Sequence, residues 1–234
     1  MRRSIRASEA SNTASAQETS ASSLQRRAEI GEERRARTRR TILEAAIAVL
    51  GHESGRLATV DDVIGKAGVS RGTFYNYFEG RDQLLEAVAH QLSHDFNEAL
   101  DRSIGDSNPA LRAATFTRQY LRRMRADPRW GWAAVNVGLN GRHLFGEATF
   151  AVARDNIARG RKLGVFNVPN ADAALDISVG TVFSSGLTIL RDPTKPDHPE
   201  AAAYMLLLAL GVPAAKARDY TSKPLAKLPG FDPT

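Results

Sequence analysis

The pentapeptide Gly68-Val69-Ser70-Arg71-Gly72 has the G-x-S-x-G spacing of a serine nucleophile elbow, the chemistry of an acyl-transferring hydrolase. An elbow works only on a turn between a strand and a helix, with an acid and then a histidine following it in the chain. His90, His94, His143 and His198 follow, but none stands in a loop after a strand pattern, and a capped helix pattern precedes the serine. His90 and His94 stand four apart and so share a helix face, a spacing that suits two metal ligands, with Asp95 and Glu98 nearby. No third ligand can be named, so these histidines read as solvent-facing and no metal or other cofactor is expected. Cysteine is absent, which removes thiolate metal sites, disulfides and cysteine nucleophiles together. The same stretch serves better as a reader of nucleic acid. The Arg71 fork matches guanine O6 and N7, and Thr73, Tyr75 and Asn76 suit a thymine methyl or an adenine edge.

Two short helices must position those side chains. Thr59, with Asp62 three residues on, approximates a capping box, and Val60, Val63, Ile64 and Ala67 fall on one face. Gly68 can take the left-handed conformation that ends such a helix. Ser70 is a candidate N-cap for the next, with Val69 and Phe74 spaced as a hydrophobic staple and Phe74 and Phe78 directed inward. Arg71, Gly72, Thr73, Tyr75, Asn76 and Tyr77 then crowd the exposed face. Two short helices joined by a glycine-containing turn form a helix-turn-helix, whose second helix lies in the major groove.

Arg37 to Val88, with the GVSRGTFYNYF core and the RDQLLEAV helix after it, resembles the DNA-binding module of the tetracycline-repressor (TetR) family. The remainder is similar to that family in helix layout and length. The chain departs from the family's usual pattern at Asn76, where a second adjacent aromatic is common. It departs again at Tyr77, commonly His, and at Gly80-Arg81, usually Ser-Lys. The resemblance implies a sequence-specific transcriptional regulator, a repressor released from a palindromic operator by a small molecule, and not an enzyme. Thr59, Tyr77, Arg81 and the helix start near Thr38 and Arg39 are then placed for phosphates, which position the protein without reading sequence. Alternatives are a ligand-independent or architectural DNA-binding protein and, remotely, the serine hydrolase.

Charge and hydrophobic pattern agree with a DNA partner. Residues 1–40 hold ten Arg against five Glu, whereas the rest is nearly balanced. Residues 1–30, rich in Ser, Ala, Thr and charge, read as a disordered arm, and 31–80 as the DNA-binding domain. An all-α ligand-binding and dimerisation domain over 81–220 and a loose tail over 221–234 complete the expected order. Its helices are expected at 109–126, 129–140, 145–163, 171–191 and 199–211, with breakers such as Asp127-Pro128 and Gly164 to Pro169 between them. More than 100 residues of helix beyond the DNA module favour a sensor over an architectural protein. Aromatic and polar groups between Phe116 and Phe150 suggest a small-ligand cavity lined by Phe116, Tyr120, Trp132, Asn136, Asn140, His143 and Phe150. Small residues in 171–191 and the all-round apolar 199–211, as the resemblance implies, make a four-helix homodimer interface. The longest apolar run, Ala201 to Val212, is too short to span a membrane, and a cytoplasmic location is expected.

Overall fold

A computed structural model describes residues 26–27, 29–105, 108–139 and 146–228. It divides into two compact units, Met1–Ile42 and Leu43–Thr234. Helix α1 covers residues 29–50, so the helix begins ahead of the Arg34–Arg40 run and inside the segment expected to be an arm. Most of that arm, residues 1–25 and 28, lies outside the described residues. Within the first unit Thr38 and Thr41 donate their hydroxyls back to the carbonyls of Arg34 (3.0 Å) and Arg37 (3.1 Å).

In the second unit a 3₁₀ turn, Glu53–Leu57, leads to α2 (Val60–Ala67), α3 (Arg71–Tyr75) and α4 (Arg81–Ile104). There follow α5 (Pro109–Ala126), α6 (Pro128–Leu139), α7 (Gly146–Lys162), α8 (Ala171–Arg191), α9 (His198–Ala209) and α10 (Ala214–Ser222). No strand occurs among the described residues, so the all-α reading holds. Helix starts follow local chemistry. Asn108 accepts from the Ala110 N–H ahead of Pro109, and Asn170 accepts from the N–H groups of Asp172 and Ala173, each at 2.9 Å.

Helix α5 is the hub of the bundle, packing against α6, α7, α8, α9 and α10. Its fully buried Ala110 and Ala114 join Leu206 and Leu207 of α9 and Leu210 just after it in one core cluster, where small side chains permit close helix approach. Gly186 does the same for α8, since a Cβ there would meet Met124 Sδ of α5 at 2.5 Å. Helix α10 carries no strong apolar periodicity and was not anticipated; it is held through buried Ala217 and Thr221. Residues 223–228 beyond it are fastened, whereas a loose tail was expected over 221–234; residues 229–234 lie outside the described residues. Arg118 Nη1 donates to the Lys223 carbonyl (2.8 Å), Gln119 Nε2 to that of Ala226 (2.6 Å), and Leu228 is buried with Phe96, Ala99 and Leu100. Arg118 is itself buried and paired with Glu200 at 3.2 Å; desolvation lowers its pKa even so.

Helix α8 is long and apolar enough to cross a membrane by length and composition, with a mean hydropathy of 1.5 over its best window. The search for one unbroken apolar run overlooked it. It packs against α5, α6, α7 and α9, and 33% of that window is buried.

Candidate nucleic-acid interface and bundle cavity

The two short helices are built by their caps. Thr59 Oγ1 accepts from the Asp62 N–H at 3.2 Å, and Asp62 Oδ2 accepts from the Thr59 N–H (2.8 Å) and hydroxyl (2.7 Å), closing the capping box. Those donors hold the Asp62 carboxyl below its usual range, the backbone N–H of Thr59 most strongly. Gly68 ends α2 in the left-handed region, at φ 66°, a conformation that glycine adopts without steric penalty. Ser70 Oγ accepts from the Thr73 N–H at 3.0 Å and lies 2.8 Å from the Thr73 hydroxyl. Phe74 and Phe78 are buried beneath α3 with ring centroids 5.7 Å apart. The serine of the G-x-S-x-G motif therefore caps a helix and follows another helix, the opposite of an elbow's surroundings.

This scaffold leaves Ser70, Arg71, Gly72, Tyr75 and Asn76 exposed, with Thr73 and Tyr77 half-buried beside them. Tyr75 stands 49% exposed with its ring edge against Phe74, which orients it without hiding it. A Cβ at Gly72 would meet only the Ser70 hydroxyl, at 4.0 Å, so intramolecular packing does not require a glycine there. Arg71 Nη2 reaches Asp61 of α2 at 2.5 and 2.7 Å, an exposed pair that raises the arginine's pKa, the Asp61 hydrogen bond contributing most. Asp61 was not singled out from sequence; its signal was its place on the exposed face of α2, opposite Val60, Val63, Ile64 and Ala67.

Arg81, expected at phosphates, turns inward. Its Nε and Nη2 donate to the carbonyls of Ala58 and Arg56, each at 3.2 Å, and so fasten the segment that leads into the Thr59 cap. Thr38 is half-buried and Arg39 exposed, both in the first unit. His90 and His94 stack at 5.2 Å, with His94 Nε2 3.4 Å from Glu98. Among the described residues no group of three metal-ligating side chains forms.

A cavity of about 90 Å³ lies in the bundle, walled by α4, α5, α7, α8 and α9. Of the residues expected to line it, Phe116 and Tyr120 do. Trp132, Asn136 and Phe150 are not among its walls, and Asn140 and His143 lie outside the described residues. Asn136 is buried, and its amide donates to the Leu50 and His52 carbonyls at 2.8 and 2.7 Å, tying α6 to the end of α1. Phe150 packs instead, half-buried, on the core cluster of α5, α8 and α9. Sequence reasoning missed Asn97, Val152, Ala153, Asn156, Ile157, Val179 and Phe183. For Asn156 a signal existed: it shares an i, i+3, i+4 stripe with Val152, Ala153 and Gly160. Burial raises the pKa of the Tyr120 phenol, and its ring meets Phe96, Phe116 and Trp130 at 5.1, 5.4 and 4.8 Å.

Residues 42–88 match the family model for bacterial regulatory proteins, tetR family, and residues 108–223 the model for the tetracyclin repressor-like C-terminal domain. The chain is 41% identical over 81 residues to the HTH-type transcriptional repressor LfrR of Mycolicibacterium smegmatis, 33% of this chain and 42% of that one. It is 37% identical over 68 residues to the uncharacterized HTH-type transcriptional regulator YvdT of Bacillus subtilis, 29% and 35% of the two lengths. These alignments thus span less than half of either relative. Among solved structures, RolR in complex with its ligand resorcinol gives a TM-score of 0.64 at 26% identity, over 84% of this chain and 99% of that one. The fold is also that of TylP, a tetR regulator from Streptomyces fradiae, at 19% identity and TM-score 0.59 over 80% and 99% of the two chains. With both of its halves matched and its helix order shared, the chain belongs to the tetR family of bacterial regulatory proteins, whose members are transcription regulators and not enzymes.

Proposed function

We propose that the protein is a sequence-specific DNA-binding repressor that acts as a homodimer on an inverted repeat and is released by a small-molecule effector. The observation that carries the first part is the doubly capped α2–α3 pair, which buries Phe74 and Phe78 while presenting Arg71, Thr73, Tyr75 and Asn76 outward. An arginine fork can discriminate guanine, and an unencumbered Gly72 lets a backbone approach a phosphate closely. Asp61, holding one edge of the Arg71 fork, acts as a positioning residue. Thr59, Ser70 and Tyr77 contact phosphates beside α3; Thr38 and Arg39 are phosphate contacts of the first unit by itself. Arg81 shapes the same surface indirectly, through Arg56 and Ala58.

The homodimer forms through α8 and α9. Their outer faces leave Ile177 and Met205 exposed, at 44% and 61%, along a shallow apolar groove that Gly180, Ser184 and Ala201 keep flat. Two-fold symmetry then asks for two half-sites on the DNA. The 26% identity to RolR, whose crystals hold resorcinol, supports the bundle cavity as the effector site. Helix α4 connects the two functions. Arg81 at its start braces the approach to the Thr59 cap, and Asn97, about 24 Å further along the helix axis, lines the cavity. A compound that shifts α4 changes the spacing of the two recognition helices and weakens binding about 5- to 150-fold, the usual range of such coupling. Cytoplasmic location belongs to the same reading.

Selection from a random duplex library tests this reading. It should enrich a palindrome whose affinity falls steeply with salt, because phosphate contacts release counterions. Enrichment without two-fold symmetry would remove the dimeric repressor.

A further inference from the structure

We infer that the bundle cavity takes a neutral, one-ring-sized apolar compound bearing a hydrogen-bond donor, of which a phenol is the simplest kind. This rests on reading the cavity as the effector site. Size sets the first limit: the cavity holds about 90 Å³, and an apolar cavity of roughly 150 Å³ accommodates benzene. Modest side-chain adjustment would bring one ring within that volume. The walls set the second: Phe116, Val152, Ile157, Val179, Val182 and Leu206 favour apolar surface.

The polar groups decide what the ligand must carry. Asn97 of α4 and Asn156 of α7 both line the cavity, and the Oδ1 of each is buried without a hydrogen-bond partner among the described residues. Asn156 donates through Nδ2 to the Pro109 carbonyl at 3.0 Å, which fixes the amide with its oxygen as the unpaired end. A buried acceptor left unpaired keeps its whole desolvation penalty, and a hydroxyl arriving with the ligand would relieve it. Ser178, also in the lining, already donates to the Ala174 carbonyl at 2.7 Å. A carboxylate ligand gains little, because Arg112, the charged residue among the described lining, is paired with Asp101 at 2.5 Å. The demand is therefore for a neutral donor.

Calorimetric titration of the full chain with 4-methylphenol, toluene, 4-methylanisole and benzoate tests this. The phenol should bind about 10-fold more tightly than toluene or the ether, the upper range for one net hydrogen bond, and benzoate most weakly. The single phenolic hydroxyl donates to one of the two amide oxygens, so either Asn97→Leu or Asn156→Leu should shrink the preference for phenol to about 2-fold or less without weakening toluene, and the other variant should leave it in place. If loss of the Pro109 bond unfolds Asn156→Leu, the loss or retention of the preference in Asn97→Leu assigns the acceptor by itself. Val179→Phe, which fills the cavity, should abolish binding of the phenol and of toluene. Equal affinities for phenol, ether and toluene, all lost in Val179→Phe, would overturn the donor requirement and leave the cavity as the effector site. Benzoate binding tightest would overturn it in the same way. Phenol binding that survives Val179→Phe, or no binding by any of the four compounds, would remove both the inference and the effector reading of this cavity.

Discussion

The α2–α3 pair and the bundle cavity are built by opposite rules. The first is assembled from bonds between near neighbours: Thr59 with Asp62, Ser70 with Thr73, and Gly68 closing α2 onto Ile64. The second comes from helices far apart in the chain, with Asn97, Phe116, Asn156, Val179 and Leu206 meeting only after packing. A module made of local bonds declares itself in short strings of residues, whereas a cavity is what remains between side chains whose partners the sequence does not name. The first should therefore fail through its caps and its one buried aromatic pair, and the second through volume.

The largest effect is expected in the bundle. Gly186→Arg would drive a side chain into Met124, which is fully buried, and bury a charge without a partner. Overpacking and an unpaired charge together should cost at least about 3 kcal/mol, read as loss of soluble protein or of the cooperative melt. Phe74→Ala comes next, at about 3–5 kcal/mol for a fully buried aromatic. If the α2–α3 core is local, DNA binding should vanish while the fluorescence of Trp130 and Trp132, both in α6, reports an intact bundle at low urea. Simultaneous loss of both signals would mean that the two regions unfold as one.

Gly180→Arg should leave the subunit's own packing untouched, since a Cβ there meets nothing within 4 Å. Sedimentation should then show monomers that remain folded, and a dimer that persisted would move the interface off the α8–α9 groove. The smallest effect belongs to Thr59→Ala, about 1 kcal/mol for a lost cap, measured by amide exchange in α2. Asp62 adds a pH signature. Its pKa is depressed in the folded chain, so its contribution is complete above the ordinary carboxylate value and is lost as pH falls through the folded value. Protection of the α2 amides, taken relative to intrinsic exchange at each pH, should thus fall in that acidic window for the native chain, less steeply in Thr59→Ala, which keeps the backbone N–H, and should lose this dependence in Asp62→Asn.

This contrast also explains how much of the molecule the sequence disclosed. Breakers such as Asp127-Pro128 and Gly164 to Pro169 mark helix ends by backbone chemistry, and the expected 109–126 and 171–191 coincide with α5 and α8. Helix α10 and the strap from Lys223 to Leu228 were missed because distant partners hold them, Arg118 and Gln119 on α5. In the exposed α3 face, residue type alone pointed to Arg71, Thr73, Tyr75 and Asn76, while the Asp61 contact required the fold. Asn136 looked like a polar group in an aromatic cavity. Its amide is committed to the Leu50 and His52 carbonyls, a pairing across more than 80 residues that no local pattern encodes. Gly186 and Gly180 are equally small on paper, and only the packing of α5 against one of them separates a core glycine from a surface one.

The central claim, that α3 reads DNA sequence through Arg71, is tested most directly by one comparison. The selected palindrome and a random duplex of equal length are titrated at fixed salt with the native chain and with Arg71→Ala. Affinity for the palindrome should fall about 5- to 150-fold and the preference at one base pair per half-site should relax, with random-duplex binding little changed. An equal loss on both duplexes would show Arg71 to be a phosphate contact, and no loss on either would place sequence reading elsewhere in the chain.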